Sequence, residues 1–408
     1  MDSSQMIDAP APPASRKVST GPSKLRRALS SKLLQGSVSF VAFLIVFLIY
    51  TVWLGSVFTN TEARALDIHQ YTPVLLLGLA VLVTLVAGQF DLSVASMATL
   101  STFLVVGLKI NQDWPFALVI VACFAAGALG GALNGFLVVN LRVNTFIATL
   151  GTGGVFLGLS TVYSGGTQVT GAGGNGTLPS WFSGPNSLGA VGTHFPAFLL
   201  WIGIAAALVL AFLSLRRLRP AGTEERRWDV TVGVGLAVVV AFLFVIGLAD
   251  WVSAVSWTVG VLLIVAALMW LLLDHTTYGR YLRATGSNSV AASLAGVKPG
   301  KETFKAFVLG GVLAALAGII LGASQGTASP GAASPYLLPA FAAAFLSTVI
   351  LSTGRFHVWG TLIGGVFLVW VAQGLIVGGL PFTWTEVVNG VVLIIAVAFS
   401  SIFKARNA

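Results

Sequence analysis

The sequence contains few side chains whose type and spacing suit acid–base or metal chemistry. Its four histidines, His69, His194, His275 and His357, lie far apart and show no HExxH or comparable ligand spacing. Four unrelated histidines are therefore favoured over a metal site. The single cysteine, Cys123, lies within an apolar run, where it is predicted to pack as a small core residue. We expect no resident metal.

One stretch, residues 296–302 (GVKPGKE), superficially resembles a phosphate-binding loop. It has three residues where that motif has four between its glycines, and Glu302 occupies the position at which a Ser or Thr would hold magnesium. The chain is therefore expected to bind neither ATP nor another cofactor, and not to be an enzyme. If the chain is a transporter, it therefore needs an ion gradient or a separate ATP-driven subunit.

Carboxylates near the centre of apolar runs would indicate ion coupling, and none is found there. Asp91, within residues 88–93 (GQFDLS), comes nearest. One interpretation is a helix cap, in which the carboxylate accepts hydrogen bonds from the first free N–H groups of the next helix. The other is a broken-helix element whose polar groups face a transport path. Both interpretations stay open. Glu386 completes a capping box in residues 383–386 (TWTE).

The overall composition explains this scarcity of charged groups. Charged residues make up 9% of the chain, against about 25% in an ordinary soluble domain. Hydrophobic residues make up 56%, and 47 of the 408 residues are glycine, which suits helices packed closely in lipid. The sequence therefore predicts an all-α polytopic membrane protein.

Apolar runs long enough to cross about 30 Å of hydrocarbon predict about twelve transmembrane helices, within a range of ten to twelve. None of these runs contains a charged residue. The predicted spans are residues 38–58, 72–88, 92–108, 115–139, 145–163, 195–213, 230–248, 252–273, 306–322, 338–352, 359–380 and 387–403. The run 338–352 contains Pro339, so a broken or re-entrant helix and a plain span both stay open there.

The distribution of positive charge predicts the orientation. The net charge of +9 could suggest nucleic acid, but 18 of the 22 Lys and Arg residues fall in four stretches: before residue 38, in 215–229, in 274–307 and after 403. All four lie on one side of the membrane if the N-terminus is cytoplasmic, as basic loops prefer. Only Arg64 and Lys109 would then lie outside. We expect a multi-pass membrane protein with both termini cytoplasmic and no nucleic-acid partner; the family resemblance described below implies the bacterial plasma (inner) membrane.

The domain organisation follows from the spans. Residues 1–37 are predicted to be a disordered basic cytoplasmic segment, residues 38–403 a transmembrane domain, which the resemblance described below implies is a permease domain, and residues 404–408 a cytoplasmic tail. Within the domain, 164–194 is predicted as an external loop, 214–229 as a basic cytoplasmic loop, and 274–305 as a longer cytoplasmic loop with a short helix at 289–294.

Four segments carry a resemblance to the permease subunits of ABC importers of the ribose and xylose type. Residues 89–96 (QFDLSVAS) resemble the family's GGIDLSVGS, and Asn134-Gly135 followed by residues 142–151 (RVNTFIATLG) resembles NG…RVPSFIVTLG. Residues 277–296 (TYGRYLRATGSNSVAASLAG) resemble TxFGRxLYAIGGN…AARLSGI, and Asn389-Gly390 matches in the last helix.

This resemblance implies a function and a set of partners. The chain is expected to be the membrane-spanning subunit of a binding-protein-dependent importer of a small neutral sugar, a pentose or hexose. Alternating access would be driven by a separate cytoplasmic ABC ATPase subunit, which binds the ATP. The other implied partners are an extracytoplasmic sugar-binding protein, a second permease copy or paralogue forming a dimer, and membrane lipid.

The resemblance also implies that loop 274–305 couples to the ATPase. An ordinary positive-inside loop with a solvated helix is the alternative. The residues assigned to ATPase coupling are Gly279, Arg280, Ala284, Gly286, Asn288, Ala291, Ala292, Leu294 and Gly296.

A path for a neutral sugar should offer neutral hydrogen-bonding groups. For each candidate the alternative is a helix–helix hydrogen bond, which is common in lipid. The candidate residues are Gln89, Asp91, Ser93, Ser96, Asn134, Asn144, Thr145, Thr149 and Gln373.

The chain departs from the family at residues 337–348 (LLPAFAAAFLST), which lack the two acids and the paired glycines of ELDAIAAVVLGGTS. The additional segment between residues 163 and 252 resembles the longer xylose branch. The short runs 92–108 and 338–352 are hypothesised to be equivalent elements of an inverted repeat. Other functions left open are ABC transport of branched-chain amino acids or nucleosides, gradient-driven transport, and a non-transporting scaffold.

Overall fold

The computed structural model describes residues 45–171, 176–217, 247–350, 355–391 and 393–394. These residues form helices joined by loops, and the β-structure among them is limited to two isolated bridges, Val169 with Ala328 and His194 with Ser256. A helix satisfies its own backbone hydrogen bonds, which is what an apolar chain crossing lipid requires.

The helices used below are numbered in chain order. They are α1 Ile45–Leu54, α2 Thr61–Val86, α3 Val94–Ile110, α4 Phe116–Gly135, α5 Thr145–Ser164, α6 Ala197–Arg217, α7 Trp257–His275, α8 Thr277–Ser287, α9 Ser289–Leu294, α10 Pro299–Gln325, α11 Leu337–Ile350 and α12 Val358–Val377. Shorter pieces are Ser56–Thr59, Leu248–Ser253, the π-helical turn Phe136–Asn140 that continues α4, and the 3₁₀ turns Ser334–Tyr336 and Phe382–Trp384.

Six of these helices are long and apolar enough to cross a membrane: α2, α4 with its π-helical turn, α5, α7, α10 and α12. The predicted polytopic helical architecture is therefore confirmed, whereas the number of spans stays a prediction. The predicted span 230–248, most of 387–403, the N-terminal segment 1–37, most of loop 214–229 and the tail 404–408 lie outside the described residues.

Two helices begin well before the predicted spans. α2 begins at Thr61 rather than at residue 72, and its first turns contain Arg64 and Asp67, paired at 3.0 Å and both buried. α10 begins at Pro299 rather than at 306 and contains a Glu302–Lys305 pair at 3.0 Å. The spans were predicted as apolar runs, and such a run ends at the first charged residue. Oppositely charged residues one helical turn apart nevertheless stabilise a helix, so both helices extend beyond the apolar run.

The helices α3 and α11 are short in the described part of the chain; α3 follows the non-helical segment 87–93, whereas α11 continues directly from the 3₁₀ turn Ser334–Tyr336. Their 17 and 14 residues give lengths of about 25 Å and about 21 Å, less than the hydrocarbon thickness of about 30 Å. Pro339 lies in the first turn of α11, where its missing N–H has no intrahelical partner to lose. The length of α3 agrees with the broken-helix interpretation of that segment, whereas the choice between a broken helix and a plain span at 338–352 stays open because residues 351–354 lie outside the described ranges.

The packing of the helices relates two groups of three, while the inverted direction of one group relative to the other stays a prediction. α2 packs against α10, α11 and α12, and α10 packs against α2, α3 and α4. Thus α2 contacts α10 and the two helices that follow α10. In the same way, α10 contacts α2 and the two helices that follow α2. This reciprocal pattern is expected of two equivalent units, α2–α4 and α10–α12.

Glycines permit the close contacts between these units. A Cβ on Gly127 of α4 would lie 2.5 Å from the carbonyl oxygen of Gly311 in α10, so neither position has room for a side chain. Thr102 of α3 donates a 3.0 Å hydrogen bond to the carbonyl oxygen of Gly318 in α10. Small residues and side-chain hydrogen bonds of this kind hold helices together in lipid.

Candidate solute path and coupling arm

The α2–α3 loop (residues 87–93) leaves α2 through a Schellman turn. Gly88 has φ of +76°, its N–H donates to Leu85 O, and the N–H of Gln89 donates to Thr84 O at 2.9 Å. Glycine adopts this left-handed conformation without steric cost. The turn ends the helix abruptly and directs Gln89, Phe90 and Asp91 back towards α4 and α5.

Asp91 is buried, with 1% of its surface exposed. Its Oδ1 accepts hydrogen bonds from the backbone N–H of Ser93 at 2.9 Å and from Ser93 Oγ at 2.6 Å. The helix-cap interpretation is therefore correct in kind but wrong in position. α3 begins at Val94 with Ser93 as its N-cap, so the carboxylate binds the cap residue itself rather than the free N–H groups of the first turn.

Asn134 connects this loop to two further helices. Its side-chain amide donates to Ser93 Oγ at 2.8 Å and accepts from Thr152 Oγ1 at 2.6 Å. All three side chains are buried, so α3, α4 and α5 share one hydrogen-bonded chain. Thr152 was not among the predicted residues, although its position about one helical turn after Thr149, on the same face of α5, was a usable signal.

The start of α5 lies against the same loop. Thr145 Oγ1 donates to Gln89 Oε1, and Thr149 Oγ1 donates to Thr145 O at 2.8 Å and, more weakly, to Phe90 O at 3.4 Å. Asn144 caps α5 by accepting from Phe146 N–H at 3.0 Å, and is exposed. The structure thus brings together seven residues, here called the polar cluster: Gln89, Asp91, Ser93, Asn134, Thr145, Thr149 and Thr152.

Three predicted path residues lie outside the polar cluster. One is Asn144, the exposed cap of α5. Ser96 is half-buried on α3, beside Gly153 of α5. Gln373 is on α12, close to Tyr71 in the first half of α2. About 22 Å of helix separate Tyr71 from Val86 at the end of α2, so Gln373 is far from the other candidates.

Aromatic rings that the sequence analysis missed border the polar cluster. Phe90 stacks on Phe146 with ring centroids 4.8 Å apart, and lies 6.2 Å from both Phe341 and Phe345 of α11. Phe146 is exposed. Aromatic faces beside a few polar groups are typical of small-molecule sites. The rings come from three separate segments, so no spacing in the sequence indicated them.

The α8–α9 arm (residues 276–298) joins α7 to α10. The short helix predicted at 289–294 is confirmed as α9, whereas α8 was not predicted. Thr276 caps α8 by accepting from Gly279 N–H at 3.3 Å, and Asn288 caps α9 by accepting from Ala291 N–H at 2.9 Å. Gly296, with φ of +84°, follows the end of α9.

Close backbone contacts fix the arm against the helix bundle. A Cβ on Gly286 would collide with the carbonyl oxygen of Val86, and a Cβ on Gly88 would lie 3.4 Å from the Cα of Gly286. A Cβ on Gly279 would collide with the carbonyl oxygen of Leu273. The arm is therefore in direct contact with the α2–α3 loop that carries Gln89 and Asp91.

The outer surface of the arm is partly apolar. Val290 and Leu294 lie one turn apart on α9, with 69% and 87% of their surfaces exposed. Arg280 and Ala291 are also exposed, whereas Ala284 is half-buried and Ala292 is buried. Four of the residues predicted for coupling have structural positions within the arm: Gly279 and Ala292 pack against neighbouring residues, Asn288 caps α9, and Gly296 adopts a left-handed conformation after α9. Val290, which the sequence analysis missed, joins Leu294 on the exposed face.

Charged groups tie the arm to other helices. Arg283 of α8 pairs with Asp274 at the end of α7, and the His357 Nε2 lies 3.7 Å from Asp274 Oδ2. Burial lowers the pKa of His357, and the neighbouring Asp274 carboxylate opposes this shift. Lys305 Nζ, which pairs with Glu302, lies 5.4 Å from the centre of the Tyr278 ring.

Within the described ranges, no group of three or more His, Cys, Asp or Glu residues is placed to hold a metal ion. Long apolar helices, glycine-mediated packing and a helical arm against a polar loop together define a polytopic membrane transport component.

Residues 68–397 match the family described as branched-chain amino acid transport system, permease component, and the chain belongs to this permease family. The chain is similar to the ribose import permease protein RbsC of Escherichia coli (strain K12), with 30% identity over 377 residues, which is 91% of this chain and 95% of that protein. It is 26% identical to the xylose transport system permease protein XylH of the same strain over 387 residues, covering 93% and 95%. The RbsC protein of Bacillus subtilis (strain 168) is 29% identical over 314 residues, covering 77% and 76%. No solved structure matches significantly.

Proposed function

We propose that this protein is the membrane-spanning permease subunit of an ATP-driven importer for a small neutral sugar, a pentose or hexose. The observation that carries the proposal is the contact between Gly286 of the α8–α9 arm and the α2–α3 loop. Through this contact, a displacement of the arm by an ATPase subunit moves the loop that holds Gln89 and Asp91. Alternating access requires such a link between a driven element and the path.

Similarity and local chemistry together favour a sugar. Two relatives that match across most of both chains, RbsC and XylH of Escherichia coli (strain K12), are named for ribose and xylose. The polar cluster offers amide and hydroxyl groups, and its only acid, Asp91, is already bonded to Ser93. A zwitterionic amino acid would need fixed charges of both signs when it leaves water. The family description nevertheless names branched-chain amino acids, so leucine is the competing substrate to test.

The proposal places the α8–α9 arm, together with the basic loops, in the cytoplasm of a bacterial cell. The exposed Val290 and Leu294 are the side chains that would enter a groove of the ATPase. A sugar-binding protein would deliver solute to the opposite side of the membrane.

A second permease copy would complete the path. α5 carries Gly151, Gly154 and Gly158 on an exposed face where an added Cβ would meet nothing within 4 Å. Small residues on an open helix face allow the close approach of another helix in lipid.

The test is transport by the purified full-length protein in lipid vesicles, together with the ATPase and binding protein encoded beside its gene. Accumulation of radiolabelled D-ribose or D-xylose should require both MgATP and the binding protein. Unlabelled L-leucine and adenosine should not compete. Accumulation of leucine or adenosine would support the competing substrate classes, and sugar accumulation driven by a gradient without the ATPase would contradict the proposal.

A further inference from the structure

Arg142 ends the π-helical turn of α4 in a backbone conformation that glycine usually adopts. Its φ is +57°, and the N–H of the following Val143 donates to Leu137 O at 3.0 Å, which closes the last turn. A residue with a Cβ is sterically strained in this left-handed region, whereas glycine is not. Arginine offers the backbone no advantage here, so its presence indicates a role for the side chain.

The Arg142 side chain lies in a group of positive charges at the end of α4. It is exposed, as are Lys298 and Lys301 at the start of α10. A Cβ on Gly300, between these two lysines, would lie 2.8 Å from Val139 Cγ1 in the π-helical turn, so α10 begins directly beside the end of α4. Within the described residues, no hydrogen bond or ion pair engages any of the three basic side chains.

The end of α4 also lies where the chain leaves the hydrocarbon layer. Both α4 with its π-helical turn and α5 are long and apolar enough to cross a membrane, and only residues 141–144 join them. Arg142 is therefore held at the boundary between lipid and water. The predicted orientation makes this the cytoplasmic boundary, where anionic phospholipids give the membrane surface a negative potential.

An exposed apolar stripe of α4 leads to the same point. Leu129, Leu133 and Phe136 are exposed and lie on one face of the helix, since they are four and three residues apart. Leu141, beside Arg142, is exposed as well. The acyl chains of a phospholipid can pack along this stripe while its phosphate meets the basic side chains at the end of the helix.

We propose that the end of α4 and the start of α10 form a binding site for the headgroup of an anionic phospholipid, whose phosphate Arg142 contacts. A guanidinium group can bind a phosphate through two parallel hydrogen bonds. No acidic residue occurs in 135–147 or 296–301 to repel the anion. The inference goes beyond the proposed function, because the site needs the membrane-crossing helices but no particular transported solute.

The first experiment uses native mass spectrometry to measure how the full-length protein in detergent retains dioleoylphosphatidylglycerol and dioleoylphosphatidylcholine. The wild type should retain phosphatidylglycerol more strongly. Arg142→Gln should weaken this retention about fivefold, which is typical of one basic residue at an anionic surface, and Arg142→Lys should preserve most of it. Arg280→Gln removes an exposed base of α8 and should leave retention unchanged. Equal retention of both lipids by the wild type, or of phosphatidylglycerol by Arg142→Gln and the wild type, would contradict the proposal.

The second experiment separates the Arg142 side chain from its backbone conformation. Glycine relieves the left-handed strain, so Arg142→Gly without lipid should unfold at the wild-type temperature or above it. Added phosphatidylglycerol should raise the unfolding temperature of the wild type, because a ligand stabilises the state that binds it. The rise should be smaller in Arg142→Gly, and an equal rise would show that Arg142 does not contact the lipid.

Two controls exclude other ligands of the same charge. Soluble glycerol phosphate has the phosphate group without acyl chains and should not displace phosphatidylglycerol; displacement would indicate a site for a free anion rather than a lipid. Pull-down of the ATPase should be equal in the wild type and in Arg142→Gln. Loss of the ATPase with unchanged phosphatidylglycerol retention would assign Arg142 to the ATPase interface and overturn the proposal.

Discussion

Gly286 of the α8–α9 arm lies so close to Val86 at the end of α2 that a Cβ on Gly286 would collide with the Val86 carbonyl oxygen. Gly88, which follows Val86 by two residues and has a left-handed backbone conformation, also lies against Gly286. Two glycines therefore bring the arm and the α2–α3 loop into backbone contact. A contact between backbones leaves little room for independent movement, because no flexible side chain lies between the two segments.

Enlarging this contact should uncouple transport. Gly286→Ala adds one methyl group against a carbonyl oxygen, and overpacking of this kind costs about 1 to 3 kcal/mol. We expect the arm to shift away from the α2–α3 loop, so that ATP hydrolysis continues while sugar uptake falls at least severalfold. The measurement is the ratio of sugar transported to ATP hydrolysed in vesicles. Gly203→Ala on α6, where an added Cβ meets nothing within 4 Å, should leave this ratio unchanged. An unaltered ratio in Gly286→Ala would show that the contact does not transmit movement.

The exposed pair on α9 should determine attachment of the ATPase. Leu294→Asp places a charge where an apolar side chain is proposed to enter a groove, and loss of a buried apolar anchor typically weakens an interface by about tenfold or more. Pull-down of the ATPase by the permease in detergent measures the effect. Thr277→Asp puts the same acid at the exposed first position of α8, where the helix dipole favours it, and should retain binding. Equal retention in both variants would place the interface elsewhere.

The hydrogen-bonded chain through Asn134 should behave as one unit. Thr152→Val leaves Asn134 Oδ1 without its donor in a buried site, which costs about 1 to 3 kcal/mol. Because Asn134→Leu removes the same bond, the double variant should be less destabilised than the sum of the two single variants. Thermal unfolding in detergent measures all three. Thr161→Val, on an exposed face of the same helix, is the control and should unfold close to the wild-type temperature. Additive effects would indicate that Asn134 and Thr152 do not interact.

The stability of the junction between the arm and α12 should depend on pH through His357. Burial lowers its pKa below the ordinary value of 6.5, despite the opposing Asp274 carboxylate. The unfolded chain then binds the proton more readily, so the stability from neutral His357 is present above about pH 6.5 and is lost as the pH falls through both pKa values. Thermal unfolding from about pH 8 to about pH 5 should show this loss in the wild type and in His275→Gln. It should be smaller in His357→Gln, and a profile identical to that of the wild type would contradict the assignment.

Several features could be predicted because they depend on local composition. Apolar runs indicated helices in lipid, and helix formers between two glycines predicted α9 at its observed position. The four family-like segments led to the permease family that residues 68–397 match. Apolar runs, helix-forming residues and family motifs are properties of neighbouring residues in the sequence, so they can be recognised without knowledge of the fold.

Other features depended on segments that are distant in the chain. The start of α2 was missed because Arg64 and Asp67 neutralise one another inside the protein. Phe90 and Phe345 meet only because α2 packs on α11, and Gln373 was grouped with residues that prove to lie near the other end of α2. Asp91 was assigned to the helix that follows it, but its carboxylate turns to Ser93.

Composition was sufficient to predict a polytopic helical membrane protein, because partition into lipid depends on each segment's own side chains, and the family-like segments added that it is a permease. The assembly of the polar cluster and the contact of Gly286 with the α2–α3 loop were set by packing. Hydrogen bonds and close contacts act over a few ångströms, and only the folded arrangement of the helices brings these residues within that range.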